Sequence, residues 1–224
     1  MEKIAILVDG AFYKKRAKSL FGEKTPKQRA NELITYCMRH VGKENSLYRI
    51  FFYDCLPSDK SIFDPLMQKT INLKKTPLYT WNTQFFKELT SKRKVALRLG
   101  ELLEGNAGYI LKQEALKKLC RKEITVEDLE PKHLELELKQ KGVDMRIGLD
   151  ISSISFKKQA TQIVLIAGDS DFVPAAKHAR REGIDFILDP MWHPIKVSLQ
   201  EHIDGLHSAT PNPRSGQKDS LCIK

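Results

Sequence analysis

The stretch that decides the fold is QIVLIAGDSDFVPAAKHARREG, residues 162–183. It opens on an unbroken apolar run, Ile163–Ala167, which ends in Gly168 and Asp169. A run without polar alternation predicts a strand buried on both faces, as in a parallel sheet. Beyond Asp171 the chain has Pro174 near the start and Gly183 at the end of its next segment, the punctuation of a helix. Asp169 and Asp171 therefore fall, one residue apart, at the junction of a buried strand with a helix.

The same alternation extends in both directions. KIAILVDG (3–10) predicts a first buried strand ending in Asp9, and TPKQRANELITYCMRHVG (25–42) a helix with Thr25 as N-cap, Pro26 at its first position and Gly42 as its stop. LYRIFFYDCLP (47–57) predicts a strand ending near Asp54, and SIFDPLMQKTINL (61–73) and TQFFKELTSK (83–92) predict helical pieces. KVALRLGELL (94–103) predicts a strand, YILKQEALKKLC (109–120) a helix, and the strictly alternating HLELELKQ (133–140) a ribbon or edge strand. GVDMRIGLDISSIS (142–155) places Val143, Ile147, Ile151 and Ile154 at helical spacing, and IDFILDP (184–190) predicts the last strand. Strand–helix alternation of this kind specifies an α/β fold with a doubly wound, mainly parallel central sheet flanked by helices and right-handed crossovers. One domain over residues 1–207 is expected, with a helical and β-ribbon insertion around 103–138 and a flexible tail at 208–224.

Composition narrows the partners. The formal net charge of +10 favours a polyanion, and residues 84–122 hold ten Lys or Arg against four Glu. That segment is either a phosphate-binding track or a solvated face. The four cysteines form no C-x-x-C pair, so neither a disulfide framework nor a zinc site is indicated, and a reducing cytoplasm fits. No stretch is long and apolar enough to span a bilayer, and no signal peptide is evident, so a membrane partner is not expected. Glycine-rich phosphate loops, nucleophile elbows and H-E-x-x-H are lacking. Phe85 and Phe86, near Trp81, offer either base-stacking rings or ordinary core.

In an open α/β sheet, ligands bind at the carboxyl ends of the strands. Asp9 ends the first strand, Asp169 and Asp171 come just after the strand at 162–167, and Asp144 opens the helix leading into that strand, so these four acids converge on one rim. Carboxylates so gathered repel one another unless a hard cation compensates, which implies Mg²⁺ or Mn²⁺. Such an ion suits in-line displacement at a phosphodiester. Helix capping is the competing explanation for Asp144 and Asp171, and it leaves Asp9 and Asp169 to be explained. Asp54 also ends a strand and is an additional candidate. Asp150 lies six positions after Asp144 and about 240° around the helix, a weaker one. Cations placed to meet a phosphate chain are Lys14, Lys15 and Arg16 after the first strand, Lys92, Arg93 and Lys94 in the basic segment, and Lys141 and Arg146 flanking Asp144.

Three pieces, ILVDGAF (6–12), KGVDMRIGLDI (141–151) and IAGDSDF (166–172), together resemble the NYN-domain family of the PIN-like nuclease superfamily, particularly its LabA-like group. The resemblance implies a PIN-like fold, Mg²⁺- or Mn²⁺-dependent endoribonuclease activity, RNA as partner, and carboxylate ligands at Asp9, Asp144, Asp169 and Asp171. It departs from the family where many members have Asn three residues after the first Asp: here the residue is Phe12. Two other readings stand beside it: a non-cleaving nucleic-acid-binding or regulatory module of the same fold, and a haloacid-dehalogenase-like phosphatase. The phosphatase expects a second acid where this chain has Ala11. Self-association into a homo-oligomer is left open.

Overall fold

Residues 1–213 are described by a computed structural model, without the side chains of 104–106. In chain order the elements are β1 (Lys3–Asp9), α1 (Gly10–Phe21), α2 (Pro26–Val41), β2 (Ser46–Cys55), β3 (Ser61–Asp64), β4 (Lys69–Asn72), α3 (Pro77–Thr90) and β5 (Val95–Leu111). The second half of the chain adds α4 (Gln113–Cys120), β6 (Leu134–Lys141), α5 (Val143–Phe156), β7 (Gln162–Ile166), α6 (Val173–Arg181), β8 (Asp185–Asp189), α7 (Val197–Gln200) and β9 (Gly205–Leu206).

The described chain forms two compact units, one of residues 1–54, 84–100 and 142 onward, the other of 55–83 and 101–141. In the first, strands lie in the order β5-β2-β1-β7-β8-β9. β1 pairs in parallel with both β2 and β7, β7 with β8, and β8 with β9. This is the mainly parallel sheet expected, and β1 lies inside it, with Ile4 to Val8 fully buried. Apolar runs without alternation became its central strands because both faces are covered.

Helix α2 carries the cap its sequence specifies. Thr25 caps α2 in a reciprocal capping box with Gln28, and Pro26 sits in its first turn. α1 had no apolar stripe to announce it, since its buried face is only Gly10, Tyr13 and Ala17. Phe85 and Phe86 are buried core.

In the second unit, β3 and β4 pair as an antiparallel hairpin, and the far half of β5 pairs antiparallel with β6. Two expectations are corrected here. Residues 61–72 are not helical: Asp64 accepts the Leu66 and Met67 amides at 3.0 Å each, and Gln68 takes φ +49°, which closes a turn. Burial alternates across Ile62, Phe63 and Asp64, the two-residue period of a strand. The helix expected from 109 begins only at Gln113, because Tyr109–Leu111 complete the β5 ladder against β6.

Residues 208–210 are held against the first unit. Trp192 donates its amide to Ser208 Oγ at 3.1 Å and its indole N–H to the Thr210 carbonyl at 2.9 Å, and the Ala209 amide reaches Asp189 at 3.4 Å. The remainder of the expected tail, 214–224, lies outside the described residues. Among the described residues no helix is long and apolar enough to cross a membrane.

Candidate nucleic-acid-processing site

Parallel pairing of β1 with β7 sets Val8 opposite Ile166, so the two strands end side by side. Asp9 closes β1, and Asp169 and Asp171 come within a few residues of the end of β7. Gly142, at φ +80°, turns the chain into α5 and places Asp144 in that helix's first turn. All four acids belong to the first unit.

Their electrostatics link them. Burial, followed by the charges of Asp144 and Asp54, pushes the Asp9 carboxyl up to about 6, against the opposing pull of the Phe12 and Ala11 amides. Burial, then the charges of Asp169 and Asp171, also raises Asp144. A chain of mutual repulsion therefore runs from Asp54 through Asp9 and Asp144 to the Asp169–Asp171 pair.

Capping is distributed differently from expectation. Asp9 accepts the Phe12 amide at 3.1 Å and caps α1, and Asp169 accepts the Asp171 amide at 3.1 Å and caps the single turn that precedes α6. The acids that capping was expected to leave unexplained are thus the ones that cap, each through Oδ1.

Gly10 and Gly168 shape the rim by what they lack. A Cβ on Gly10 would lie 2.5 Å from the Tyr53 carbonyl and 2.8 Å from Asp54 Oδ2, so only glycine lets the end of β2 close against the start of α1. A Cβ on Gly168 would lie 2.5 Å from the Phe12 ring. Phe12 thus locks α1 onto the turn after β7.

The two additional acids have separate fates. Asp54 is 1% exposed and receives Lys14 Nζ at 2.7 Å, beside Asp9. Asp150 accepts the Tyr53 hydroxyl at 2.7 Å and Arg98 Nε at 3.1 Å, which ties α5 to β2 and β5. It is an anchor of the scaffold and does not figure in the repulsion that links the other acids.

The proposed cations also divide. Lys15 and Arg146 are exposed on α1 and α5, elements that begin at the rim. Arg16 is turned to the Met191 carbonyl, at 3.1 Å from Nε and 2.6 Å from the guanidinium terminus. Lys92 donates to Asn31 at 2.6 Å and Lys94 to the Leu47 carbonyl. Leu47 is the register partner of Ile4, at the start of β1, so this corner lies at the opposite end of the sheet from Asp9, roughly 16 Å along the strand at about 3.3 Å per residue. Lys92, Arg93 and Lys94 are therefore not brought to the acids. Lys141 is exposed at the end of β6, in the second unit.

Residues 83–191 match the family profile of the NYN domain. The likeness is to the NYN domain and is confined to that stretch. The stretch contains KGVDMRIGLDI and IAGDSDF, while ILVDGAF lies before it, so two of the three resembling pieces fall within the match and the LabA-like subgroup is not distinguished. Family character of this kind points to PIN-like nuclease chemistry. No curated protein matches the chain. Among solved structures, the protein of unknown function VPA0982 from Vibrio parahaemolyticus RIMD 2210633 is similar over 92% of this chain and 91% of that one, at 15% identity and a TM-score of 0.45.

Donor chemistry at the rim fits a hard divalent ion, since all the acids offer carboxylate oxygen only. Among the described residues no three His, Cys, Asp or Glu side chains yet stand close enough to enclose one. Asp144, Asp169 and Asp171 are exposed.

Sequence patterns gave no sign of His193 and Lys196. His193 meets the Phe12 ring edge-on, with centroids 6.0 Å apart, and Lys196 donates to Ser170 Oγ at 3.1 Å. Neither has a spacing signature. A lone histidine and a lone lysine in a loop gain meaning only from what β8 delivers them to.

Proposed function

We propose that the protein is a metal-dependent endoribonuclease that hydrolyses RNA phosphodiester bonds at the Asp9–Asp144–Asp169–Asp171 rim, with Mg²⁺ or Mn²⁺ as cofactor. The observation that carries the reading is that Asp9 and the Asp169–Asp171 pair follow adjacent, parallel-paired strands and are linked through Asp144, which raises Asp9 and is itself raised by Asp169 and Asp171, in a chain whose residues 83–191 match the NYN domain. A divalent ion held there would supply charge neutralisation at the phosphate and a more acidic water. Asp9, Asp144, Asp169 and Asp171 are the residues that would hold it.

The chain's own contributions are positional. Caps through Oδ1 fix the carboxylates of Asp9 and Asp169 to backbone amides, so they are oriented before substrate arrives. Lys14 is held on buried Asp54. Lys15 and Arg146 are left to meet RNA phosphates.

Cleavage of a labelled single-stranded RNA in Mn²⁺ by wild type, Asp169→Asn and Asp171→Asn tests this. Asparagine keeps the capping ability of aspartate, so circular dichroism is expected to be unchanged while cleavage falls by a factor of about a hundred or more. Wild-type melting temperature is expected to rise in millimolar Mn²⁺ and to fall back on chelation. Equal cleavage by all three proteins removes these acids from the chemistry. Wild type that binds RNA but leaves it intact replaces the enzyme with a binding module.

A further inference from the structure

The segment PMWHPIK, residues 190–196, links β8 to α7 and crosses the turn that carries Asp169 and Asp171. Its backbone is held in an unfavourable shape. Met191 and Trp192 both occupy the left-handed region, at φ +47° and +61°, although neither is glycine. Strain of this kind persists only where surrounding contacts over-determine it. Here Asp189 accepts the Met191 amide at 2.7 Å, Arg16 donates to the Met191 carbonyl at 2.6 Å, and Ser208 and Thr210 hold both nitrogens of Trp192.

The strap so fixed touches the turn 168–171 from two sides. On one, His193 stands edge-on to Phe12, whose ring fills the space above Gly168. On the other, Lys196 donates to Ser170, the residue between the two aspartates. Lys196 is exposed, and its hydrogen bond goes to a neutral hydroxyl although carboxylates flank that hydroxyl on both sides. An ammonium has three donors, so capacity remains for phosphate oxygen. Arg16 and Lys14 are already engaged by Met191 and Asp54.

We propose that this strap is the substrate-facing wall of the acidic rim: Lys196 contacts the RNA phosphate chain beside Asp169 and Asp171, and the Phe12–His193 pair presents aromatic surface on which an unpaired base stacks. The proposal rests on the nuclease reading above and deepens it. An acid-rich rim repels a polyanion unless a cation is placed against it, and Lys196, bonded to Ser170 between the two aspartates, is so placed. Its anchoring through a strained backbone pre-orders the wall, which lowers the entropy lost on binding.

The test is fluorescence anisotropy with a labelled single-stranded RNA 12-mer in EDTA across a salt series, paired with steady-state cleavage in Mn²⁺. Lys196→Gln is expected to weaken binding about five- to tenfold, to flatten the plot of log affinity against log salt by about 0.7, and to raise KM more than it lowers kcat. Lys196→Arg retains the charge and restores most of the affinity and the slope. His193→Ala is expected to weaken binding severalfold without changing the slope, because stacking displaces no counterions. Melting curves confirm that the variants fold, as exposed positions allow. Wild type that binds and cuts RNA with a slope and KM that Lys196→Gln leaves unchanged overturns the strap and spares the nuclease. RNA bound through Lys196 but never cut upholds the strap and removes the nuclease, and a chain that neither binds nor cuts overturns both.

Discussion

Asp9 performs two tasks with one side chain: it caps α1 and it stands in the line of mutually repelling acids. Without a bound cation its burial works against folding at neutral pH. Its carboxyl, raised to about 6 by burial and by Asp144 and Asp54, lies roughly two pH units above its ordinary range. A group raised in the folded state contributes its full stability below the unfolded value near 4 and loses that contribution as pH climbs through 6. The loss is on the order of 3 kcal/mol at about 1.4 kcal/mol per pH unit. Asp9→Asn keeps the cap and removes the charge. In chelator it should therefore melt higher than wild type at pH 8 and together with it at pH 4, and a constant difference across that range would show that burial of the charge is not the cause. Gly10 belongs to the same scale, because a methyl group there would meet the backbone of β2 at 2.5 Å. Helix propensity favours alanine over glycine by about 1 kcal/mol, yet contact with an immovable carbonyl outweighs it.

Among elements, the end of β8 organises more chain than any apolar contact would suggest. Asp189 is fully buried and accepts the Tyr36 hydroxyl at 2.6 Å, His40 Nε2 at 2.7 Å, the Met191 amide at 2.7 Å and the Ala209 amide at 3.4 Å. One carboxylate thereby joins α2, β8, the strained strap and residues 208–210. Two non-glycine residues in the left-handed region cost on the order of 1–2 kcal/mol each, and this network is what holds them. Removing one donor to a buried carboxylate costs about 1.5–3 kcal/mol. Tyr36→Phe should lower the urea midpoint accordingly and, if the strap loosens with it, raise KM for RNA. A midpoint equal to wild type would show that the other three donors satisfy Asp189 without the phenol.

For the molecule as a whole, a net charge of +10 is less informative than where the charges end up. The basic segment 84–122 is divided between two compact units, and Lys92–Lys94 sit at the far end of the sheet from the acids. Replacing Lys92, Arg93 and Lys94 with Gln should leave the salt dependence of RNA binding close to wild type. Lys15→Gln combined with Arg146→Gln should flatten it by about 1.4, at about 0.7 per cation on a single strand. The reverse result would return the phosphate track to the basic segment.

Local chemistry dictates the part of this protein that is legible in its sequence. Apolar runs ending in Asp-Gly and Gly-Asp report strands covered on both faces, and Thr25, Pro26 and Gly42 bound α2, because burial and capping act within a few residues. The hairpin at 61–72 is hidden because a short stretch with scattered apolar residues fits either period, and only the Asx turn at Asp64 decides between them. Helix α1 is hidden because its buried face consists of a glycine, a tyrosine and an alanine. The candidate acids are legible since strand ends in a parallel sheet share one rim. Tertiary structure alone decided which acid is anchored by Arg98 and Tyr53 and which cations stand near the rim. Those outcomes depend on contacts between residues far apart in the chain, such as Lys14 with Asp54 and Lys196 with Ser170, and no local spacing encodes a distance across a fold.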